Sequence, residues 1–228
     1  MLLMAALFVA GGTARADEIM IDFMGTHAGG TLSYGGGTAP LIGTGLVINT
    51  VAGVNTPANN NSGGTNYGVV GQNGTGFGIL EFQTGSGFGP APNIAWRFNG
   101  GGYFRILGAV LNEDGTTGVG YRTLLDGNLL GATVERSGSV KLVISEGTDR
   151  KDPDLVRFFG MDPETHFAFS GGIQVANYNY NRTTQGFTAS SAGNTHIVNT
   201  ALVPEPASLA LLGSVILFLG LKLRKKLL

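Results

Sequence analysis

The feature that most constrains the fold of this 228-residue chain is a two-residue hydrophobic period that recurs along it. Because successive side chains of a β-strand point to opposite faces, such alternation predicts strands with one buried and one wetted face, as in antiparallel sheets. Five runs show the period, with apolar positions at Ile19, Ile21 and Phe23, at Leu80 and Phe82, at Ile94, Trp96 and Phe98, at Val140, Leu142 and Ile144, and at Phe167, Phe169, Ile173 and Val175.

Turn dipeptides stand between these runs, at Asn73-Gly74, Asn99-Gly100, Asp114-Gly115 and Asp126-Gly127. Asn-Gly and Asp-Gly supply the positive φ that tight hairpins require, and the spacing of the last two is typical of a meander. Gly171-Gly172 is expected to introduce a bulge in its strand. We therefore predict an all-β fold, a single antiparallel, jelly-roll-like β-sandwich over residues 17–202.

Two segments depart from the strand pattern. Residues 52–67 are rich in Asn and Gly and predict a long, exposed and mobile loop. Residues 152–160 predict one short helix, with Asp152 as N-cap, Pro153 in the first turn and Gly160 after the C-cap. The apolar face of this helix is expected to consist of three residues at helical spacing, Leu155, Phe158 and Phe159.

Charge and cysteine content exclude several classes of function. The formal net charge is −1, and residues 17–202 carry nine Lys and Arg against fourteen Asp and Glu. The chain therefore lacks the basic footprint of a nucleic-acid-binding protein, and we predict no nucleic-acid partner. The absence of cysteine excludes disulfides, thiolate zinc sites and cysteine nucleophiles.

The residues that could carry catalysis or bind a metal are sparse. The histidines at 27, 166 and 196 are far apart in sequence, and no G-x-S-x-G motif is present. Calcium prefers several loop carboxylates, so the best metal candidate is the acidic cluster Asp149, Asp152, Asp154, Asp162 and Glu164. Arg150, Lys151 and Arg157 dilute this cluster. We predict no catalytic residue, no metal site and no cofactor.

Within residues 17–202, aromatic residues give the one candidate for ligand binding. Tyr178 and Tyr180 alternate with asparagines at 177, 179 and 181, and Trp96 lies on another predicted strand. Aromatic faces beside amide groups can stack on sugar rings and hydrogen-bond their hydroxyls. Ordinary cross-strand aromatic pairs are the alternative interpretation of these residues.

The N-terminal segment has the pattern of a secretory signal peptide. Residues 2–9 form a short apolar run, which is followed by Ala14-Arg15-Ala16. An apolar run followed by A-x-A predicts cleavage after Ala16, so residues 1–16 would be removed. The run is too short to cross a bilayer, which requires about 20 residues. A buried N-terminal helix is the alternative.

The C-terminal segment combines three features in a fixed order. Pro204-Glu205-Pro206 precedes an uncharged apolar run over residues 207–221. The run is followed by a basic cluster, Lys222, Arg224, Lys225 and Lys226. These features predict a short transmembrane helix whose basic end stays in the cytoplasm, which places residues 17–202 outside the cell. A plain membrane anchor is the alternative.

The arrangement of residues 203–228 resembles the PEP-CTERM sorting signal. The resemblance implies export in a Gram-negative-type bacterium that makes exopolysaccharide. It also implies processing near Pro204-Glu205-Pro206 by an exosortase, an integral membrane enzyme of the transpeptidase type. The precursor would be anchored in the inner membrane, and the mature protein would reach the cell surface or the extracellular space. The resemblance is confined to this segment.

Together these observations predict a non-enzymatic cell-surface or extracellular-matrix protein with one β-sandwich domain. One alternative is a carbohydrate-binding module of the same fold, which would use Trp96, Tyr178 or Tyr180 and which exopolysaccharide could occupy. A second alternative is a secreted hydrolase whose site is assembled only in space, with His166 or His196 beside carboxylates.

Overall fold

A computed structural model of the chain describes residues 18–61, 64–90, 95–137 and 139–202. The predicted signal peptide, the sorting motif, the transmembrane helix and the basic cluster lie outside these residues. The described part contains one helix, α1 (Pro153–Phe158), and a short 3-10 helix, Gln72–Gly74. Its strands are β1 Met20–Gly25, β2 Gly29–Tyr34, β3 Pro40–Ile48, β4 Thr50–Val54, β5 Tyr67–Val70, β6 Gly78–Pro90, β7 Ala95–Asn99, β8 Tyr103–Leu111, β9 Thr117–Ser137, β10 Ser139–Lys151, β11 Phe167–Tyr180 and β12 Phe187–Ala201.

All of these strands pair antiparallel in one sheet, with the order β1-β4-β5-β8-β6-β3-β2-β12-β11-β10-β9-β7. Further pairings of β1 with β12, β8 with β9 and β6 with β7 make the sheet fold back on itself. The predicted all-β antiparallel class is confirmed. The described strands form one continuous hydrogen-bonded sheet.

Long strands that change partners explain why the sheet is continuous. β9 pairs with β8 from Thr117 to Gly127 and with β7 from Gly131 to Glu135. β6 likewise pairs first with β8 and then with β7. A strand that pairs with one neighbour along its first part and with another along its second part links those neighbours through continuous hydrogen bonding. All of the described strands therefore belong to one sheet.

The hydrophobic core lies inside the folded sheet, and its side chains come from alternate positions of the strands, as predicted. Phe23, Phe82 and Phe104 are fully buried, and so are most of their apolar neighbours. Of the predicted inward residues whose side chains the structure describes, Ile19 is only partly buried and packs against the core. The others are buried, at Ile21, Phe23, Leu80, Phe82, Trp96, Phe98, Leu142, Phe167, Phe169, Ile173 and Val175. Ile94 and the side chains of Val140 and Ile144 lie outside the description.

One predicted turn is wrong, because Asp126-Gly127 lies inside β9. Gly127 is opposite Asp149 of β10 and Phe104 of β8. A Cβ at Gly127 would lie 2.7 Å from the carbonyl oxygen of Thr148. Glycine is therefore needed at position 127 because two strands approach each other closely there, and not because a turn requires a positive φ. Asp114-Gly115 does form the turn between β8 and β9, with Gly115 at φ 80°.

The predicted bulge in β11 is displaced from its expected position. Gly171 and Gly172 pair regularly with Ile197 and His196 of β12. The register instead shifts after Ile173, and again after Ala176. Gly171 is required for a different reason, since a Cβ there would lie 2.7 Å from the backbone carbonyl oxygen of His196.

The predicted loop over residues 52–67 is shorter than expected. Its first residues belong to β4, and Tyr67 begins β5. Between them, the Ala58 amide donates a hydrogen bond to the carbonyl oxygen of Phe159, and the Asn59 side chain donates one to that of Phe158. The loop is therefore attached to the C-terminal end of α1.

The predicted helix is confirmed as α1. The Asp152 carboxylate accepts hydrogen bonds from the backbone amides of Asp154 (2.9 Å) and Leu155 (3.4 Å), and Pro153 opens the helix. Gly160 follows the C-cap with φ 74°. Leu155 and Phe159 are fully buried, so the helix covers one edge of the core.

Removal of the N-cap is expected to weaken this helix. Asp152→Ala should lower the free energy of unfolding by about 1 kcal/mol, because two helix amides lose their acceptor. Urea denaturation measures the change. Asp152→Asn is the matched control, since Asn caps as well as Asp but cannot form the ion pair with Arg122. Equal losses in both variants would assign the effect to the ion pair and contradict the capping role.

Candidate functional site

The aromatic residues predicted to contact sugars belong to one ring cluster, in which Trp96 is a core residue. Trp96 is 8 % exposed, and its ring centroid lies 5.2 Å from that of Phe187 and 5.9 Å from that of Tyr178. Tyr180 packs on the same indole at 6.2 Å. Cross-strand packing of this kind leaves Trp96 no free ring face for stacking on a ligand.

Tyr180 lines an open cleft of about 500 Å³ where β11 ends and β12 begins. Tyr34 forms part of the wall, and its hydroxyl already donates to the carbonyl oxygen of Gly37 at 2.6 Å. The Asn181 side chain accepts hydrogen bonds from the amides of Thr183 and Thr184 and so holds the turn. Among the described residues of this cleft, Asn179 and Tyr180 retain side-chain polar groups that are available to a ligand.

A row of charged side chains crosses the outer face of the sheet on neighbouring strands. Glu81 of β6 is opposite Arg105 of β8, and Arg105 is opposite Asp126 of β9. Asp126 is in turn opposite Arg150 of β10. Because Asp149 pairs with Phe167, the next position beside Arg150 is His166, just before β11. The sheet register thus places five ionisable residues in line, and the charges of the first four, Glu81, Arg105, Asp126 and Arg150, alternate in sign.

Contacts fix one end of this row. The Arg105 guanidinium donates two hydrogen bonds to Glu81, at 3.0 and 2.7 Å, and lies 5.2 Å from the centroid of the Tyr103 ring. Arg150 and Asp126, by contrast, make no side-chain hydrogen bond with another residue in the described part of the chain. The row therefore has a paired end and an end whose polar groups face solvent.

Three adjoining clefts, of about 310, 390 and 270 Å³, surround Arg150. The first extends from Arg105 and Thr123 to Asp152. The second is lined by Tyr103, Asp126, Asn128, Thr148 and His166, and the third continues past His166 to Pro163 and Glu164. We call this surface the polar groove and define it by six residues, Tyr103, Arg105, Asp126, Asn128, Arg150 and His166.

Beneath the polar groove, Asp149 and Lys151 form a buried ion pair. Their side chains are 0 % exposed, Lys151 Nζ lies 2.8 Å from Asp149 Oδ2, and the Phe167 ring centroid lies 3.8 Å from Nζ. Burial lowers the pKa of Lys151 to about 8 and raises the pKa of Asp149, despite their mutual attraction. Removal from water thus outweighs the attraction between the charges for both groups.

The three histidines make unrelated contacts. His27 stacks on Phe77 with ring centroids 4.4 Å apart. His196 Nε2 lies 3.6 Å from Asp22 Oδ2, and burial raises the pKa of this carboxyl. His166 Nδ1 lies 2.8 Å from the carbonyl oxygen of Glu164 and shares its cleft with Asp126. His166 thus lines a cleft that also holds an exposed carboxylate, that of Asp126.

The acidic residues considered as metal ligands are engaged with cations and backbone amides. Asp152 and Asp154 both pair with Arg122, and Asp154 also pairs with Arg157. Asp162 accepts a hydrogen bond from the amide of Glu164. No group of three or more His, Cys, Asp or Glu side chains in the described ranges is arranged to hold a metal ion. The expected absence of a metal stays a prediction.

Neither the polar groove nor the buried ion pair was predicted from sequence. The row is assembled by strand register, which joins residues from four strands and leaves no local pattern. The buried pair did leave a signal in the sequence. Leu142 has an even number, whereas Asp149 and Lys151 have odd numbers, so a regular strand would place them on opposite faces. A bulge between Ile144 and Gly147 brings all three to the same face of β10. Recognition of that shift would have placed both charges on the inward face.

Comparison with known protein families identifies a sorting motif in the C-terminal segment. Residues 202–226 match the PEP-CTERM protein-sorting motif, which confirms the predicted resemblance. No curated protein and no solved structure gives a significant match to the chain. No helix in the described ranges has the length and apolar character needed to span a bilayer. The chain thus carries a PEP-CTERM motif, and such a motif indicates an exported protein that is processed by an exosortase.

Proposed function

We propose that this chain is an exported, non-enzymatic protein of the cell surface or extracellular matrix, processed near Pro204-Glu205-Pro206. The observation that carries the proposal is the position of the sorting motif, whose match begins at residue 202, directly after β12 ends at Ala201. A processing signal placed there can be removed without cutting through a strand.

The pairing of β12 supports processing at this point. β12 is hydrogen-bonded to β11, β2 and β1, and the Leu202 amide donates to the carbonyl oxygen of His166 at 2.8 Å. The last strand is therefore held within the sheet by residues that precede Pro204-Glu205-Pro206. Loss of residues 207–228 leaves every pairing of the described strands in place.

Routing would proceed in two stages. The N-terminal signal directs export, and residues 207–221 hold the precursor in the inner membrane while the basic cluster stays in the cytoplasm. The exosortase then removes the helix, and residues 17–202 act at the surface or in the matrix, where exopolysaccharide is a candidate partner.

The absence of catalysis is proposed because the groups around His166 are not joined into an acid–base pair. Two exposed carboxylates, Asp126 and Glu164, line the clefts that His166 shares. The His166 ring contacts the carbonyl oxygen of Glu164, and no hydrogen bond joins it to either carboxylate within the described residues. Acid–base catalysis requires its groups to lie within hydrogen-bond reach. A secreted hydrolase is the alternative, and hydrolysis that is lost in His166→Ala would support it.

A carbohydrate-binding module is the second candidate function. The open cleft beside Tyr180 favours it, because the Asn179 amide and the Tyr180 hydroxyl are available there. Tyr180 and Asn179 would contact the sugar, and Trp96 and Tyr178 would support the Tyr180 ring from behind. Tyr180→Ala should then abolish binding.

Fractionation of the native host tests export directly. We expect the described domain, detected by an antibody raised against it, in the surface and extracellular fractions. Deletion of residues 2–9 should leave the protein in the cytoplasm, because the apolar core of the signal peptide is lost. Recovery of the unaltered protein from the cytoplasm would contradict the proposed function.

A further inference from the structure

We propose that the polar groove around Arg150 binds a neutral saccharide chain. The groove is separate from the cleft beside Tyr180, and the two surfaces share no lining residue. The proposal adds a ligand class to an exported protein, and it rests on the register, pairing and charge of the groove residues.

The groove offers hydrogen-bond donors and acceptors in alternation. Arg105 and Arg150 donate only, Asp126 between them accepts only, and His166 follows on the next strand. Neighbouring strands lie about 4.8 Å apart, so these side chains repeat at that interval across the face. A sugar hydroxyl both donates and accepts, and successive hydroxyls along a saccharide can satisfy such an alternating row.

The central groups of the groove are available without breaking internal bonds. Arg150, Asp126 and Asn128 make no side-chain hydrogen bond with another residue in the part of the chain that the structure describes. A ligand would displace water from them and no protein partner. Arg105 differs, because Glu81 already holds two of its donors.

Charge favours a neutral ligand over an acidic one. Glu81 neutralises Arg105, and Asp126 lies opposite Arg150, so the row has no excess positive charge. The domain around it carries fourteen Asp and Glu against nine Lys and Arg over residues 17–202. A uronate-rich chain would meet Asp126 and this acidic surface, and it would be repelled.

The shape of the groove and its rigid base suit a chain rather than a single sugar. Three clefts adjoin at Arg150 and extend from Asp152 to Glu164. Arg150 is flanked in β10 by Asp149 and Lys151, whose buried ion pair fixes the strand from below. The Arg105 guanidinium restrains the Tyr103 ring from one side. The backbone of β10 and the Tyr103 ring are thus held in place before binding, so they lose little conformational entropy when the ligand arrives.

Isothermal titration calorimetry on the full chain in detergent tests the proposal. The probes are cellohexaose and mannohexaose, which are neutral, and hexagalacturonate, which is acidic and of equal length. We expect at least one neutral probe to bind and the acidic probe to bind more weakly or not at all. Arg150→Ala and Asp126→Ala should each weaken binding by about tenfold or more, as expected when one good hydrogen-bonded group is lost.

Matched variants distinguish binding in the polar groove from binding elsewhere on the surface. Arg97→Ala removes the same charge from the outer face of β7, away from the groove, and should leave binding unchanged. Arg150→Lys keeps the charge but loses the planar fork, so it should also bind more weakly. Loss of binding in Tyr180→Ala together with full binding in Arg150→Ala would overturn the proposal that the polar groove binds the saccharide, and it would support the second candidate function. Binding of none of the probes, or preference for hexagalacturonate, would also overturn it, and neither result bears on export.

Discussion

Lys151→Met is expected to lower the free energy of unfolding by about 3–5 kcal/mol, because it leaves one member of a buried ion pair without its partner. The side chains of Lys151 and Asp149 are both 0 % exposed and 2.8 Å apart. Removal of Lys151 leaves the Asp149 carboxylate buried without a counter-charge, and its second oxygen already has no hydrogen-bond partner among the described residues. The variant must either bury a lone charge or protonate the carboxyl.

Two further variants isolate the pair as the cause. Lys141→Met changes the same residue type on the same strand, but Lys141 is exposed, so its effect should stay within about 0.5 kcal/mol. Asp149→Leu combined with Lys151→Met should recover most of the lost stability, since apolar replacements of a buried pair are often neutral. Urea denaturation measures all three. A loss below about 1 kcal/mol for Lys151→Met would show that the pair is not buried as described.

The same pair should make stability depend on pH. Burial lowers the pKa of Lys151 from 10.5 to about 8, so between these values the unfolded chain holds a proton that the folded chain has lost. The free energy of unfolding should therefore rise with pH from about 8 to about 9.5. Above that range burial raises the pKa of Tyr34 and Tyr67 beyond 10.0, which opposes the rise. The rise should be absent in Lys151→Met.

Glu205→Ala is expected to change the fate of the protein almost completely, from a processed chain to one that keeps its tail. A plain membrane anchor would tolerate many residues before the apolar run. Pro204-Glu205-Pro206 matters only if an enzyme reads an extended segment just outside the membrane. The variant, expressed in the native host, should stay uncleaved in the inner membrane.

Ser208→Ala serves as the control for this experiment, because it alters the same segment outside Pro204-Glu205-Pro206. Its tail should be removed as in the parent protein. Pro204→Ala should behave like Glu205→Ala. Normal processing of both motif variants would contradict recognition of the motif and leave residues 207–221 as a simple anchor.

The sequence predicted those features of the fold that depend on local patterns. Alternation of Ile21 with Asp22, or of Phe82 with Glu81, reports which side chains are buried, because each strand has one inward face. Asp152, Pro153 and Gly160 predicted α1 for the same reason, since capping depends on neighbours in the chain. The sorting motif is likewise a contiguous segment that needs no tertiary structure to be recognised.

Features that depend on strand register could not be predicted in this way. Asp126-Gly127 has the composition of a turn, but its role follows from Thr148 on the neighbouring strand. Arg105, Asp126 and Arg150 form a row only because three strands pair in one particular register. Trp96 was a candidate for sugar contact until the positions of Phe187 and Tyr178 showed that its ring is covered.

The intact mass of the protein recovered from its native host tests the central claim most directly. Mass spectrometry should show a chain that begins after Ala16 and ends near Pro204-Glu205-Pro206, without residues 207–228. That result would establish both export and processing on the same molecules. Recovery of the full tail through Leu228 on most molecules would contradict the account.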